Sequence, residues 1–135
     1  MPLRDTLFDL CSAQVLGNAG DEYTDDQANF GMANPKLNLG NKFGLHLIVT
    51  TAFTGLDSGA ILWIAHAATE NPTVKHTGMF IPVAELTAGA HFFIPCGSIP
   101  ILQYARGLFE VVSENATAGA ADCYFGPGPH GAGSL

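Results

Sequence analysis

Apolar and polar side chains alternate with a period of two along several segments of the chain, which is the pattern of a half-buried β-strand. The clearest segment covers residues 43–53. One of its faces carries Phe43, Leu45, Leu47, Val49, Thr51 and Phe53. Residues 60–69 form a second, largely apolar segment. Because the turn-forming sequence TGLDSG separates the two segments, we expect these strands to form a hairpin.

Four further segments predict short strands, at residues 74–81, 91–95, 104–113 and 120–125. Turn sequences separate them, and the first is ENPT, in which proline restricts its own backbone and that of the residue before it. Short strands in this number, with no convincing helix between them, predict an all-β fold. We expect an antiparallel β-sandwich or jelly roll, with a closed barrel as the alternative.

The two ends of the chain lack this alternation. Residues 1–16 have apolar spacings compatible with a short helix or an irregular arm, and the following stretch is dense in Gly, Asn and Asp. Such a stretch is typical of an extended loop with at most one short strand. We therefore expect an irregular N-terminal arm and long loop over residues 1–42, one β-sandwich domain over 43–125, and an extended Gly/Pro-rich tail over 126–135.

Composition narrows the classes of partner. Hydrophobic residues make up 47% of the chain and charged residues only 13%, which favours lasting contact with another protein. A formal charge of −7 with five Lys and Arg argues against nucleic-acid binding and against an anionic membrane surface. The uncharged run 86–105 contains Gly and Pro, so we expect a strand and a loop there and no membrane span. No secretory signal is recognisable, which predicts a protein made and kept in a cytoplasm.

Candidate chemistry is sparse. Three cysteines, Cys11, Cys96 and Cys123, are widely spaced and predict free, reduced thiols. Five histidines are each isolated in sequence, which favours single surface histidines over a metal site; they are His46, His66, His76, His91 and His130. The acidic segment 21–26 is interpreted as a solvated turn, with calcium binding as the alternative. We predict no catalytic residue, no cofactor and no metal.

Six segments follow one another in a distinctive order: LFDLCSAQ, LNLGN leading into FGLHLIVTTAF, AILWIAHAAT, IPVAELTAGAHFFIP, YARGLFEVV and ATAGAADCYF. This order, from Leu7 to Phe125, resembles the capsid cement (decoration) protein family of tailed bacteriophages. The chain departs from that family in its acidic, Asn-rich insertion before LNLGN and in its Gly-Pro tail.

The resemblance implies a structural virion protein and not an enzyme. It implies a β-sandwich, often a homotrimer, that is fixed to the outer surface of the mature head and has the major capsid protein as its partner. We expect apolar residues of the N-terminal arm to contact the capsid or a neighbouring subunit; they are Leu3, Leu7, Phe8 and Leu10.

Three alternatives remain open from the sequence. A phage tail accessory protein would use a similar small sandwich, and a carbohydrate-binding module would bind glycans in isolation. A cupin-like metalloenzyme would require tightly bound metal. Trp63 lies on an apolar strand and is expected in the core, which weakens the sugar-binding alternative.

Overall fold

The computed structural model describes residues 9–16, 20–29, 40–56, 58–97, 103–111 and 115–127. Within these residues the secondary structure is almost entirely strand. The strands are β1 (Asp9–Val15), β2 (Gly20–Tyr23), β3 (Ala28–Asn29), β4 (Gly40–Thr54), β5 (Gly59–Ala67), β6 (Lys75–Pro82), β7 (His91–Gly97), β8 (Tyr104–Val111) and β9 (Ala118–Pro127). One 3-10 turn, Val83–Glu85, follows β6. Among the described residues, no helix has the length and apolar character that a membrane span requires.

The strands form two antiparallel sheets that pack against each other. Sheet A has the strand order β1-β9-β4-β7, and sheet B has the order β2-β8-β5-β6, with β3 also paired to β8. Because β2 and β3 pair with the same strand, they behave as one interrupted strand. The resulting order is that of a jelly roll, in which two Greek keys enclose one core. The predicted all-β sandwich is confirmed, and the closed-barrel alternative is wrong.

The core lies between the two sheets and follows the alternation in the sequence. Leu45, Leu47 and Val49 of β4 are buried and face sheet B. The opposing side chains include Leu62 of β5 and Phe109 of β8, which belong to the same buried cluster. Burial of each such side chain contributes about 1.5–3 kcal/mol, so this layer is the main source of the stability of the sandwich.

The predicted hairpin between the segments 43–53 and 60–69 is wrong. β4 pairs with β7 and β9 in sheet A, whereas β5 pairs with β6 and β8 in sheet B. Two apolar strands that face each other across a core have the same sequence pattern as two strands of a hairpin. The hairpin is instead β5–β6, and its turn contains Asn71 with a φ of 58°.

The described parts of the N-terminal region belong to the sandwich, contrary to the predicted arm and loop over residues 1–42. β1 is a strand paired with β9, and β2 and β3 are two short strands where at most one was expected. Within the described residues, the sandwich therefore includes strands from residue 9 onwards, and β9 reaches residue 127, two residues past the predicted boundary. Register shifts in β1 turn two consecutive residues, Leu10 and Cys11, towards the core. For this reason the sequence of β1 does not show the period of two that is typical of a strand.

Thr24 closes the gap between β2 and β3. Its backbone N–H donates to the Gly107 carbonyl at 3.0 Å, and its hydroxyl oxygen accepts the Gly107 N–H at 3.2 Å. Nearby, the Asp26 N–H donates to the Leu10 carbonyl of β1 at 2.8 Å. The interruption therefore connects an edge of sheet B to an edge of sheet A.

Candidate functional site

The residues predicted to contact a capsid divide into two groups. Leu3, Leu7 and Phe8 lie outside the described residues. Leu10 is 0% exposed and belongs to the core between the sheets. The prediction for Leu10 is wrong, because a side chain with no exposed surface cannot contact a partner while the sandwich stays folded.

Strand edges are the places where a sheet can accept a strand from another protein. Within the described residues the edges are β1 and β7 in sheet A, and β6 and the interrupted β2–β3 in sheet B. Two register shifts distort β1, and Pro95 lies within β7. β2–β3 is broken at Thr24 and has acidic side chains on and beside it. Each of these features opposes strand addition.

β6 is the least protected of these edges. Lys75 and Pro82 stand at its two ends, and a register shift lies close to Lys75. The central residues 77–81 have none of these features, and within the described chain they pair only with β5. Phe80, in this central part, is 51% exposed. We call residues 77–81 the β6 edge.

The outer face of sheet B carries a hydrogen-bonded cluster around Trp63. The Trp63 indole N–H donates to Glu110 Oε1 at 3.0 Å. Lys75 Nζ lies 2.9 Å from Glu110 Oε1 and 3.1 Å from Asp21 Oδ1. Trp63 is half-buried on this outer face, so the prediction that places it in the core is wrong. Its ring also packs on Gly78, which leaves less of the indole free to stack on a sugar.

Both cations described on sheet B are held by neighbouring groups. The hydrogen bond from Lys75, and then the one from Trp63, lowers the pKa of Glu110. The hydrogen bond with Glu110, followed by that with Asp21, raises the pKa of Lys75. Arg106 stacks on Tyr23, with its guanidinium carbon 3.8 Å from the ring centroid. Lys75 and Arg106 are therefore both in contact with other groups of this protein.

Four histidines that look isolated in sequence form two pairs, so the prediction of single histidines is wrong for them. His46 Nδ1 lies 2.8 Å from His91 Nε2, between β4 and β7. His46 also stacks on Tyr124, with the ring centroids 4.5 Å apart. His66 and His76 stack between β5 and β6. The strand register alone brings these residues together, and no local spacing in the sequence indicates it.

No metal site emerges from the part of the chain that the structure describes. Across these ranges no group of three or more His, Cys, Asp or Glu side chains has a geometry suited to a metal ion. In the acidic segment 21–26, Asp21 forms an ion pair with Lys75. His130 lies outside the described residues.

The three cysteines are buried and form no disulfide, in agreement with the prediction of reduced thiols. Burial raises the pKa of the Cys96 thiol to about 12, which keeps this thiol protonated and unreactive in the folded protein. Cys11 and Cys123 are direct partners in the register between β1 and β9.

The described surface thus combines one poorly protected strand edge with an outer face whose charged groups engage one another. No protein-family model matches the chain. No curated protein matches it with significant similarity. The resemblance to the capsid cement family therefore stays a prediction.

Proposed function

We propose that this protein is a capsid cement protein, which binds the exterior of a mature tailed-phage head and stabilises it. The segments that carry the resemblance coincide with strands of the jelly roll: LFDLCSAQ includes most of β1, FGLHLIVTTAF lies in β4, and AILWIAHAAT covers most of β5. The family likeness thus concerns the framework of the fold. A rigid sandwich of this kind suits a binding role, because its edges and loops are held in fixed positions.

The β6 edge is the observation that supports the proposal best. It offers backbone groups to an added strand, and Phe80 offers apolar surface beside them. β6 contains no Asp or Glu, although the chain has twelve such residues. An extended, uncharged segment of the major capsid protein is therefore the partner that this edge fits, since main-chain hydrogen bonds supply affinity and alternate side chains supply specificity.

The stabilising effect follows from linkage. A protein that binds the assembled, expanded lattice and not its separated subunits adds its binding free energy to the stability of the lattice. A homotrimer would join three weak contacts, which raises the overall affinity without any stronger individual contact. The protein would be made in the host cytoplasm and act on the outer surface of the virion.

The test is co-sedimentation of the purified protein with expanded heads that lack it, followed by heating of the heads with and without the protein. Saturable binding that raises the temperature of head rupture is the expected result. Absence of binding to these heads would overturn the proposal. Binding to isolated glycans in place of heads would support the carbohydrate-binding alternative.

A charged substitution on β6 tests the contact edge separately. Phe80→Lys is expected to weaken head binding at least about tenfold, because lysine on an edge strand opposes strand addition. Val15→Lys is the matched control, since Val15 is also exposed, at 76%, but lies on the distorted edge strand β1. Equal binding by both variants and the unchanged protein would exclude the β6 edge as the contact. The cement role itself would then be decided by the co-sedimentation experiment alone.

A further inference from the structure

Cys11 and Cys123 lie directly opposite each other on two neighbouring antiparallel strands. Cys11 of β1 and Cys123 of β9 are register partners, and both side chains belong to the buried cluster between the sheets. In a regular antiparallel ladder, opposite residues point to the same face and their Cα atoms are about 4.5–5.5 Å apart. Both cysteines face the core here even though register shifts adjoin Cys11. Disulfides span Cα separations of about 4.4–6.8 Å, so the backbone needs no large movement to accommodate one.

The reduced state is also accommodated. The Cys11 thiol donates a hydrogen bond of 3.5 Å to the Ala121 carbonyl on β9. Formation of a disulfide with Cys123 would replace this hydrogen bond. The pair is therefore compatible with both a dithiol and a cross-linked form.

We propose that Cys11 and Cys123 are a latent disulfide site, which closes when the protein meets a small-molecule disulfide such as oxidised glutathione. The thiolate of one cysteine attacks a sulfur of the oxidant, which releases one thiolate and leaves a mixed disulfide. The second cysteine, as thiolate, attacks the mixed disulfide and releases the second thiolate. The two protein thiols lose two electrons and two protons, and the oxidant is reduced to two thiols.

Access to the sulfurs comes from local opening of β1. This strand is the edge of sheet A and pairs only with β9 among the described strands. Register shifts on both sides of Cys11 weaken that pairing. Separation of β1 from β9 exposes both cysteines at once, so reclosure brings the mixed disulfide against the second thiol.

The cross-link would join the first strand to the last. Nearly the whole sandwich lies between the two cysteines, so the bond restricts a very long loop of the unfolded chain. Cross-links that close long loops are expected to stabilise most, provided that they fit the native geometry. The bond would also fix β1 in place, and its formation requires the fold and an oxidant but no capsid lattice.

Cys96 provides an internal control. It is a third buried thiol, on β7 at the opposite edge of sheet A from β1. The test incubates the folded protein with oxidised glutathione, counts free thiols after denaturation, and identifies the linked peptides by mass spectrometry. Cys96→Ala, Cys11→Ala and Cys123→Ala variants are treated in parallel, and melting temperatures are measured before and after oxidation.

Three results are expected together. The unchanged protein and Cys96→Ala each lose two thiols, with the peptides of Cys11 and Cys123 joined. Their melting temperatures rise on the order of 10 °C. Cys11→Ala and Cys123→Ala form no internal cross-link.

Retention of all three thiols by the folded protein, or a cross-link that includes Cys96, would overturn the proposal. Peptide mapping of the unchanged protein decides the question even if one alanine variant fails to fold.

Discussion

His66 on β5 and His76 on β6 stack their imidazole rings, with centroids 3.7 Å apart and 25° between the ring planes. His66 is only 4% exposed. The pKa of His66 is lowered from its ordinary value of 6.5 to about 4. Burial is the larger cause, and the neighbouring His76 is the smaller one. The folded protein therefore holds His66 in its neutral form at neutral and mildly acidic pH.

The lowered pKa of His66 predicts that the folded protein loses stability in mild acid. As the pH falls through 6.5, the unfolded chain binds a proton at His66, whereas the folded protein resists protonation until about pH 4. The free energy of unfolding therefore decreases over this window, by up to about 3 kcal/mol at about 1.4 kcal/mol per pKa unit. Urea unfolding at several pH values between 7 and 4 measures the decrease.

Two variants separate the causes. His66→Phe removes the titrating group and is expected to flatten the dependence on pH. His76→Phe is expected to retain most of it, because burial contributes more than His76 to the lowered pKa. An unchanged slope in His66→Phe would assign the acid sensitivity to another group, such as His91, whose pKa burial also lowers.

Glu110 connects Trp63 to Lys75, and its charge is expected to contribute modestly to stability. Glu110→Gln keeps an acceptor for the Trp63 N–H but removes the ion pair with Lys75. Both charged side chains are about 30% exposed, so solvent weakens their attraction and we expect a loss of about 1 kcal/mol. Chemical denaturation measures it. The exposed Glu85→Gln is the control and should change stability by less than about 0.5 kcal/mol, and an equal loss in both variants would show that the pairing has no role.

The ring of Trp63 leaves no space for a side chain at position 78, which is a glycine. A Cβ atom at Gly78 would lie 2.5 Å from Cε3 of the indole, so Gly78→Ala must displace the ring. We expect a loss of about 1–3 kcal/mol and a shift in the emission of the single tryptophan. Gly126→Ala is the control, because its added methyl group would meet Tyr124 at an ordinary 3.5 Å. Identical emission in the two variants would contradict the close packing.

The sequence predicts the sandwich well where its strands are regular. The predicted strand 43–53 lies within β4, and Leu45, Leu47 and Val49 of its predicted inner face are buried. Thr51 of the same predicted face is exposed, because register shifts interrupt the pairing of β4 with β9 there. β1 is not predicted because register shifts turn two consecutive residues, Leu10 and Cys11, towards the core. The sequence does not indicate that β5 belongs to sheet B and not beside β4, because the inner-face residues of both sheets are equally apolar.

The candidate site is less predictable for a different reason. The distance between His46 and His91 depends on the register between β4 and β7, which no local motif encodes. Phe80 is exposed on the outer face of β6, and the position of β6 at the edge of sheet B is a property of the sheet order. Local patterns determine which face of a strand is apolar, whereas long-range pairing determines which strand is left at the edge.

Truncation of the N-terminus separates folding from binding, because β1 begins at Asp9. Removal of residues 1–8 is expected to weaken head binding, because Leu3, Leu7 and Phe8 are predicted contacts. It is expected to leave the cooperative unfolding transition intact, because it deletes no residue of the described strands. Removal of residues 1–16 also deletes β1 and the Leu10 side chain from the core, so we expect it to unfold the protein or lower its stability severely. Circular dichroism melts and co-sedimentation measure the two effects.

Leu10→Ala completes the comparison. It creates a cavity in the core and is expected to cost about 2–5 kcal/mol, while head binding by the folded fraction stays unchanged. If Leu10→Ala kept its full stability but bound heads more weakly, Leu10 would be a capsid contact, and its position between the sheets would be contradicted. Full binding after removal of residues 1–8 would exclude Leu3, Leu7 and Phe8 as contacts, and capsid recognition would then have to come from the rest of the chain, with the β6 edge as the first candidate.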